Sequence, residues 1–98
     1  MSMLVEDNPA AHQFEILVDD SLAGFAAYEQ RPGVVVFTHT EVEPAYEGHG
    51  VGSTLAREAL DQVRNRGDRV VARCPFISAY IDRHPDYREL LVDPDRKA

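Results

Sequence analysis

Cys74, His39 and Tyr80 are the side chains of this sequence best suited to nucleophile, base or acid chemistry. A thiolate is a strong nucleophile, an imidazole accepts protons near neutral pH, and a phenol can donate one. A glycine loop at residues 47–53 adds a candidate binding site, because its alternating glycines allow backbone conformations closed to other residues and close approach of a ligand. These features predict a site that binds a ligand and moves protons beside it.

The glycine loop lies between a predicted strand, residues 34–42, and a predicted helix, residues 53–66. The first amides of a helix have no intrahelical acceptor, and the helix dipole places partial positive charge there, so phosphate groups bind well at this position. The loop lacks the lysine of a nucleoside-triphosphatase loop, and the chain is too short for a dinucleotide-binding fold. The pattern favours a diphosphate-bearing ligand of another kind.

Composition limits the classes of protein that this chain can represent. Its 98 residues are 44% hydrophobic, which is enough for one modest core. The net charge of −7 opposes binding to nucleic acid or to an anionic membrane. The longest apolar run, residues 34–37, is too short to cross a bilayer, and the first residues lack a secretory signal pattern, so we expect a cytoplasmic protein. No close spacing of histidines and acidic residues predicts a metal site.

Apolar periodicity predicts the elements that must position these residues. Alternation over residues 14–18 and a second apolar run over 22–29 predict a hairpin. The Arg31-Pro32-Gly33 turn leads into a third strand, residues 34–40, so we expect three antiparallel strands.

The second half of the chain predicts a crossover unit. The helix over residues 53–66 has apolar residues at three- and four-residue spacing, and Gly67 suits its C-terminal cap. Residues 69–74 then predict a buried strand parallel to the third strand. Pro75 starts a short helix to Arg83, and a final turn covers residues 86–91. We expect a loose terminus at residues 1–11, one domain at 12–92 and a frayed, charged tail at 93–98.

Three segments together resemble a known family. They are Thr38-His39-Thr40-Glu41-Val42, Gly48-His49-Gly50-Val51-Gly52-Ser53, and Cys74-Pro75-Phe76 followed by Tyr80-Ile81 and His84-Pro85-Asp86-Tyr87. Over most of the chain they resemble the GNAT superfamily of acyl-CoA-dependent N-acyltransferases, in particular its minimal single-domain members of the YjdJ type. The sequence departs from the superfamily's usual loop at Glu47, where Gln or Arg is common. The resemblance implies a mixed sheet, with N-terminal antiparallel strands followed by a parallel pair joined by a crossover helix, and short C-terminal helices.

The resemblance also implies acetyl-CoA as co-substrate. The amides of residues 49–54 would hold its diphosphate, the splayed ends of the parallel strands would admit pantetheine, and the end of the short helix would meet the 3′-phosphate or adenine. The residues expected to contact coenzyme A are Thr40, Glu41, Val42, Gly48, His49, Gly50, Val51, Gly52, Ser53, Thr54, Arg83 and His84.

Each candidate catalytic residue also has a plain structural interpretation. His39 is a candidate general base for the amine or for the Cys74 thiol, but strand alternation places it on one face with Val35 and Phe37, as a packing histidine would be. Cys74 is either an acyl-accepting nucleophile beside the thioester or a small buried side chain. Tyr80 is either the acid that protonates the leaving thiolate or a packing tyrosine.

The function expected from the resemblance is acetyl transfer from acetyl-CoA to an amine, with a protein lysine as one candidate acceptor. An acyl-CoA-binding module with little or no turnover is the alternative, because the chain lacks the extra helices and hairpin of larger GNAT proteins. A third interpretation is an interaction domain whose site is unused. We expect a monomer or weak dimer without a nucleic acid or membrane partner.

Overall fold

Residues 2–92, which the computed structural model describes, form a five-stranded sheet with two α-helices against one face. The strands are β1 (Met3–Asn8), β2 (Gln13–Val18), β3 (Ser21–Arg31), β4 (Val34–Val42) and β5 (Arg69–Ala72). The helices are α1 (Val51–Asn65) and α2 (Pro75–Arg83), and short 3-10 turns cover Pro9–Ala11, Pro44–Tyr46 and Pro85–Leu90. Neighbouring strands are antiparallel except β4 and β5, which are parallel. This arrangement confirms the predicted fold.

The core lies between one face of the sheet and the two helices. Phe14 and Ile16 of β2 and Val35 and Phe37 of β4 point into it. α1 covers them with a stripe of buried residues at the spacing of one helix face, namely Val51, Leu55, Ala56, Ala59, Leu60 and Val63. We call this the helix face of the sheet, and the opposite side the open face.

The N-terminal segment differs from the predicted loose terminus at residues 1–11. Met3–Asn8 pair with β2 as an antiparallel edge strand, and Val5 is buried. Gln62 of α1 donates a hydrogen bond of 3.1 Å to the Val5 carbonyl. Backbone pairing needs few apolar side chains, so periodicity did not reveal this strand. The predicted frayed tail at 93–98 lies outside the described residues.

A β-bulge in β4 decides which of its side chains face the helices. Consecutive residues of β3 pair with Phe37 and His39, which leaves Thr38 as an extra residue. An extra residue reverses the alternation of all side chains beyond it. Thr40 and Val42 therefore lie on the helix face and His39 lies on the open face. The prediction that His39 shares a strand face with Phe37 is wrong for this reason.

β5 leaves β4 at the same point. The two strands pair only as far as Phe37, whose carbonyl accepts hydrogen bonds of 3.0 Å from the amides of both Arg73 and Cys74. The chain then turns into α2, which begins at Pro75. The strand therefore ends at Ala72 and not at Cys74 as predicted, and within residues 2–92 no strand pairs with β4 beyond Phe37 on that side.

The helices begin and end close to the predicted positions. α1 begins at Val51 and not at Ser53, because Gly50 adopts a left-handed φ of 76° as its N-cap. Gly67, with φ of 79°, follows the end of α1, as expected of a C-terminal glycine. α2 spans Pro75–Arg83 as predicted. Within residues 2–92, no helix is long and apolar enough to cross a membrane.

Tyr28 makes the stability of the fold decline at alkaline pH. Its hydroxyl donates a 2.6 Å hydrogen bond to Asp7, and burial first, then this carboxylate, raises the pKa of Tyr28 to about 12. The unfolded phenol ionises near 10.0, so this stabilisation is complete below pH 10.0 and is lost as the pH rises towards 12. We expect Tyr28→Phe to lower the free energy of unfolding at neutral pH by about 1 kcal/mol and to flatten its alkaline decline in urea titrations. An equally steep decline in the variant would contradict this.

Candidate functional site

A cleft of about 580 Å³ opens where β5 leaves β4, and we call it the first cleft. Its walls come from the end of β4, the glycine loop at residues 47–53 with the first turn of α1, and α2. The sequence-predicted residues that line it are Thr40, Val42, Gly48, Gly50, Val51, Gly52, Ser53, Tyr80 and Arg83. The predicted residues Glu41, His49, Thr54, His84, Cys74 and His39 are not among its lining residues.

The glycines of the loop serve two different requirements. Gly48 and Gly50 have φ of 83° and 76°, a left-handed conformation that costs other residues about 1–2 kcal/mol. A Cβ on either would meet no atom within 4 Å, so the requirement comes from the backbone and not from packing. Gly52 lies against α2, since a Cβ there would be 2.7 Å from the tip of the Phe76 ring and would displace that ring. The loop conformation therefore depends on glycine at 48 and 50, and the position of the Phe76 ring depends on glycine at 52.

The start of α1 directs unpaired amides into the first cleft. The amides of Val51, Gly52 and Ser53 precede the first intrahelical bond, and no side chain of the described residues caps them. The Thr54 amide donates to the Gly50 carbonyl at 3.0 Å and is therefore not available to a ligand. The first turn of α1 contains no acidic residue that would offset the partial positive charge of the helix end. This geometry suits a phosphate group.

The free edge of β4 adds a second set of backbone groups. The Glu43 amide donates to the Ala23 carbonyl of β3 at 2.8 Å. Alternate residues of an antiparallel strand direct their amides to the same neighbour, so Glu41 also turns its backbone towards β3. The amide and carbonyl groups of Thr40 and Val42 consequently face the side that β5 has left. A ligand in the first cleft can hydrogen-bond to this edge as an added strand would.

Cys74 lies beneath this edge, next to Thr40. It is 2% exposed, and its thiol donates to the Thr40 hydroxyl at 3.2 Å. It is also the N-cap residue of α2, although its side chain does not cap that helix. Cys74 thus has the burial of a core residue, and Thr40, not Cys74, contacts the first cleft.

His39 and Cys74 lie on opposite faces of the sheet. His39 is on the open face, with its ring centroid 6.0 Å from that of Phe25 and its Nε2 atom 2.9 Å from a carboxylate oxygen of Glu41. The side chains of His39 and Glu41 are 60% and 62% exposed. The expectation that His39 accepts the proton of the Cys74 thiol is therefore wrong. His39 and Glu41 instead form an imidazole–carboxylate pair open to solvent.

Tyr80 reaches the first cleft from α2. Its side chain is almost fully buried and stacks on His84, with centroids 4.0 Å apart and planes inclined by 18°. Nδ1 of His84 lies 2.9 Å from the Tyr80 carbonyl, which holds this imidazole outside the cleft. Burial, more than the neighbouring charges, raises the pKa of Tyr80 above its ordinary value. The phenol therefore keeps its proton at neutral pH, as a general acid must.

Two charged residues line the first cleft. Arg83 reaches it from the last turn of α2, and its Nε donates to the Ala79 carbonyl at 3.4 Å. Glu47 lines the cleft from the loop, and its exposed carboxylate opposes an anion by charge. An anionic ligand would therefore be held at its diphosphate by backbone amides, with Arg83 as the nearby cation.

Sequence reasoning missed two aromatic residues of the first cleft. Phe76 is 37% exposed, although it is a large hydrophobic residue, and Tyr46 ends the 3-10 turn that leads to the glycine loop. Their exposure comes from the tertiary structure, and the only sequence signal was the place of Phe76 directly after the helix-starting Pro75. The two rings add apolar surface to a cleft whose other donors are backbone amides.

Comparison with known sequences identifies one family. The family described as GCN5-related N-acetyl-transferase matches residues 13–90. Protein NATD1 from Gallus gallus is 36% identical over 52 residues, which are 53% of this chain and 47% of that protein. Protein NATD1 from Homo sapiens is 36% identical over 52 residues, covering 53% of this chain and 46% of that protein. The chain thus spans about half the length of the curated relatives it matches.

Solved structures share the fold. A GCN5-like protein from Staphylococcus aureus superposes with a TM-score of 0.69 at 17% identity, covering 95% of this chain and 91% of that chain. A GNAT family acetyltransferase from Brucella melitensis, crystallised with acetyl-CoA, gives a TM-score of 0.54 at 27% identity. That similarity covers 65% of this chain and 47% of the other.

Proposed function

The chain belongs to the family of GCN5-related N-acetyltransferases, and on this premise we propose that it transfers the acetyl group of acetyl-CoA to an amine. One observation carries the proposal: the uncapped start of α1 and the unpaired edge of β4 open into the same cleft. Helix amides suit a diphosphate, and a free strand edge suits the amide groups of pantetheine. The Brucella melitensis relative, crystallised with acetyl-CoA, supports the choice of donor.

Val42, Tyr80 and His39 each have one role in the transfer. The Val42 amide donates to the thioester oxygen and stabilises the charge that develops there. The amine nitrogen forms the new C–N bond as the C–S bond breaks, and Tyr80 gives its proton to the leaving thiolate. The His39 imidazole, held by Glu41, takes the proton of the incoming ammonium group before attack. The new amide nitrogen then releases a proton, which restores the phenol.

Replacement of Cys74 by alanine separates two routes of transfer. Because the thiol is buried and bonded to Thr40, we expect direct attack by the amine, with kcat of Cys74→Ala within about threefold of wild type. Tyr80→Phe serves as the comparison and should lower kcat by about 100-fold or more, since it removes the proton donor. Release of coenzyme A measures both. Loss of turnover in Cys74→Ala with unchanged acetyl-CoA binding, together with an acetyl adduct on Cys74 in the intact-protein mass, would instead establish an acyl-cysteine route.

Calorimetric titration with acetyl-CoA tests the proposal directly. We expect one saturable site for acetyl-CoA and little heat with ATP, which carries phosphates without pantetheine. Desulfo-CoA keeps the diphosphate and pantetheine arm but lacks the thioester, so its affinity relative to acetyl-CoA measures recognition of the acyl end. Absence of saturable binding would reject the proposal and leave an interaction domain as the remaining interpretation.

An acyl-CoA-binding module without turnover is the second candidate, and one observation favours it. No histidine is among the residues that line the first cleft, and His39 lies across the sheet. Saturable acetyl-CoA binding without release of coenzyme A to any of a panel of amines would support this candidate. A protein lysine as acceptor, a monomeric or weakly dimeric state, a cytoplasmic location and the YjdJ subtype stay predictions.

A further inference from the structure

The open face of the sheet carries a row of exposed and partly exposed apolar residues. Leu4 of β1 pairs with Leu17 of β2, which pairs with Leu22 of β3. Leu4 and Leu22 are each 51% exposed, and Phe25 is partly exposed farther along β3. We call these four residues the apolar row. Both helices lie on the other face, so no helix of residues 2–92 covers the row. Adjacent exposed apolar side chains of this kind mark interaction surfaces.

A second cleft of about 540 Å³ continues the apolar row to the edge of β4. Its lining combines the apolar residues Leu22 and Phe25 with three carboxylates, those of Glu41, Glu43 and Glu47. Among residues 2–92, no lysine or arginine lines it. An aliphatic stem that ends in an ammonium group, as in a lysine side chain, complements both kinds of residue.

The two clefts meet at the end of β4. Thr40, Val42 and Glu47 line both of them, whereas the open-face residues Leu22, Phe25 and Glu41 line only the second. Within residues 2–92, β5 stops pairing with β4 at Phe37 and no other strand replaces it, so the free edge of β4 borders both clefts. A nucleophile in the second cleft can therefore reach an acyl group held along the free edge of β4.

We propose that the open face binds an extended basic segment of a partner protein, with apolar side chains on the apolar row and one lysine in the second cleft. The proposal rests on the proposed function, because it names the acceptor. The apolar row extends to β1, well beyond the second cleft, so a small amine would leave most of it uncovered. Glu6 and Glu15 pair with each other two residues along the strands from the Leu4–Leu17 pair, on the same face. These carboxylates and the net charge of −7 favour a basic segment. The same charge opposes a second copy of this chain.

Chemical-shift mapping of the nitrogen-15-labelled protein tests the docking. The probe is a peptide with blocked ends in which lysine and leucine alternate, and the control is the same peptide with glutamate in place of lysine. We expect the lysine peptide to shift the amides of Leu17, Leu22, Phe25 and Glu41, and the glutamate peptide to shift none of them. Shifts confined to α1 and α2, or no shifts in a large excess of the lysine peptide, would overturn the proposal.

Two pairs of exposed residues provide matched variants. Leu22→Ser should weaken binding of the lysine peptide by about fivefold or more. Leu91→Ser, which alters a leucine of 40% exposure beside β5, should leave the affinity for this peptide unchanged. Glu43→Gln should weaken binding of the lysine peptide by about two- to fivefold. Asp82→Asn on α2, with the same change in charge, should leave the affinity for this peptide unchanged. Equal effects of the two members of a pair would contradict the assignment of the surface.

A parallel titration with acetyl-CoA distinguishes failure of this proposal from failure of the proposed function. Shifts at Gly50 and Ser53 with acetyl-CoA, but none on the open face with the lysine peptide, would overturn the docking and leave the function intact. Shifts on the open face without any response to acetyl-CoA would sustain the docking and reject the function. Concentration-dependent shifts at Leu22 and Phe25 without peptide would assign this face to self-association and overturn the proposal.

Discussion

Replacement of Gly50 by valine is expected to abolish saturable binding of acetyl-CoA. Gly50 is the N-cap of α1 with φ of 76°, a conformation that costs a side chain about 1–2 kcal/mol, and more when the side chain is β-branched. Relief of this strain rotates the peptide units at the start of α1 and moves the amides of Val51 to Ser53 out of line with a diphosphate. Each hydrogen bond to a charged group contributes about 1.5–3 kcal/mol, so loss of two predicts an affinity at least about 100-fold weaker in calorimetry.

Gly33→Val is the matched control for this change. Gly33 is exposed and has φ of 71°, and a Cβ there would meet no atom within 4 Å, as at Gly50. It lies in the β3–β4 turn, at the opposite end of β4 from the first cleft. In urea titrations the free energy of unfolding should fall by about 1–2 kcal/mol in both variants. Only Gly50→Val should lose its affinity for acetyl-CoA. Wild-type affinity in Gly50→Val, or equal loss in both, would refute the assignment of the loop.

Deletion of Thr38 is the second change with a large expected effect. Without the extra residue, Phe37 and His39 become consecutive, as their partners Tyr28 and Ala27 are, so β4 keeps its register and its faces but loses the local bend of the bulge. This bend lies where β4 and β5 part, so its loss brings the end of β4 closer to α2 and narrows the first cleft. We expect the affinity for acetyl-CoA in calorimetry to fall by about tenfold or more.

Thr38→Ala controls for loss of the side chain alone. This variant keeps the extra residue and removes only the hydroxyl, which donates to the Ala27 carbonyl at 3.3 Å. Its affinity for acetyl-CoA should match wild type, since the bulge and its bend are kept. A folded deletion variant that still binds acetyl-CoA would show that the bulge does not determine the site.

Local patterns in the sequence were sufficient for the helices and for most strands. The three- and four-residue apolar spacing predicted α1, and Pro75 with the His84-Pro85 pair predicted both ends of α2. These signals succeed because helix periodicity, proline and glycine act through a residue's own backbone and its near neighbours. β1 was not predicted, because it is held by backbone pairing with β2 and its own side chains show no strand pattern.

The sequence by itself determined the glycine loop, the helix that follows it and the strand that precedes it, because left-handed glycines and apolar periodicity are local properties. Only the tertiary structure decided on which face each residue of β4 lies. The bulge at Thr38 depends on register with β3, a contact between distant parts of the chain, and one extra residue exchanges the two faces. That exchange puts Thr40 beside Cys74 and His39 across the sheet from both. The groups that His39 and Cys74 contact therefore depend on strand pairing.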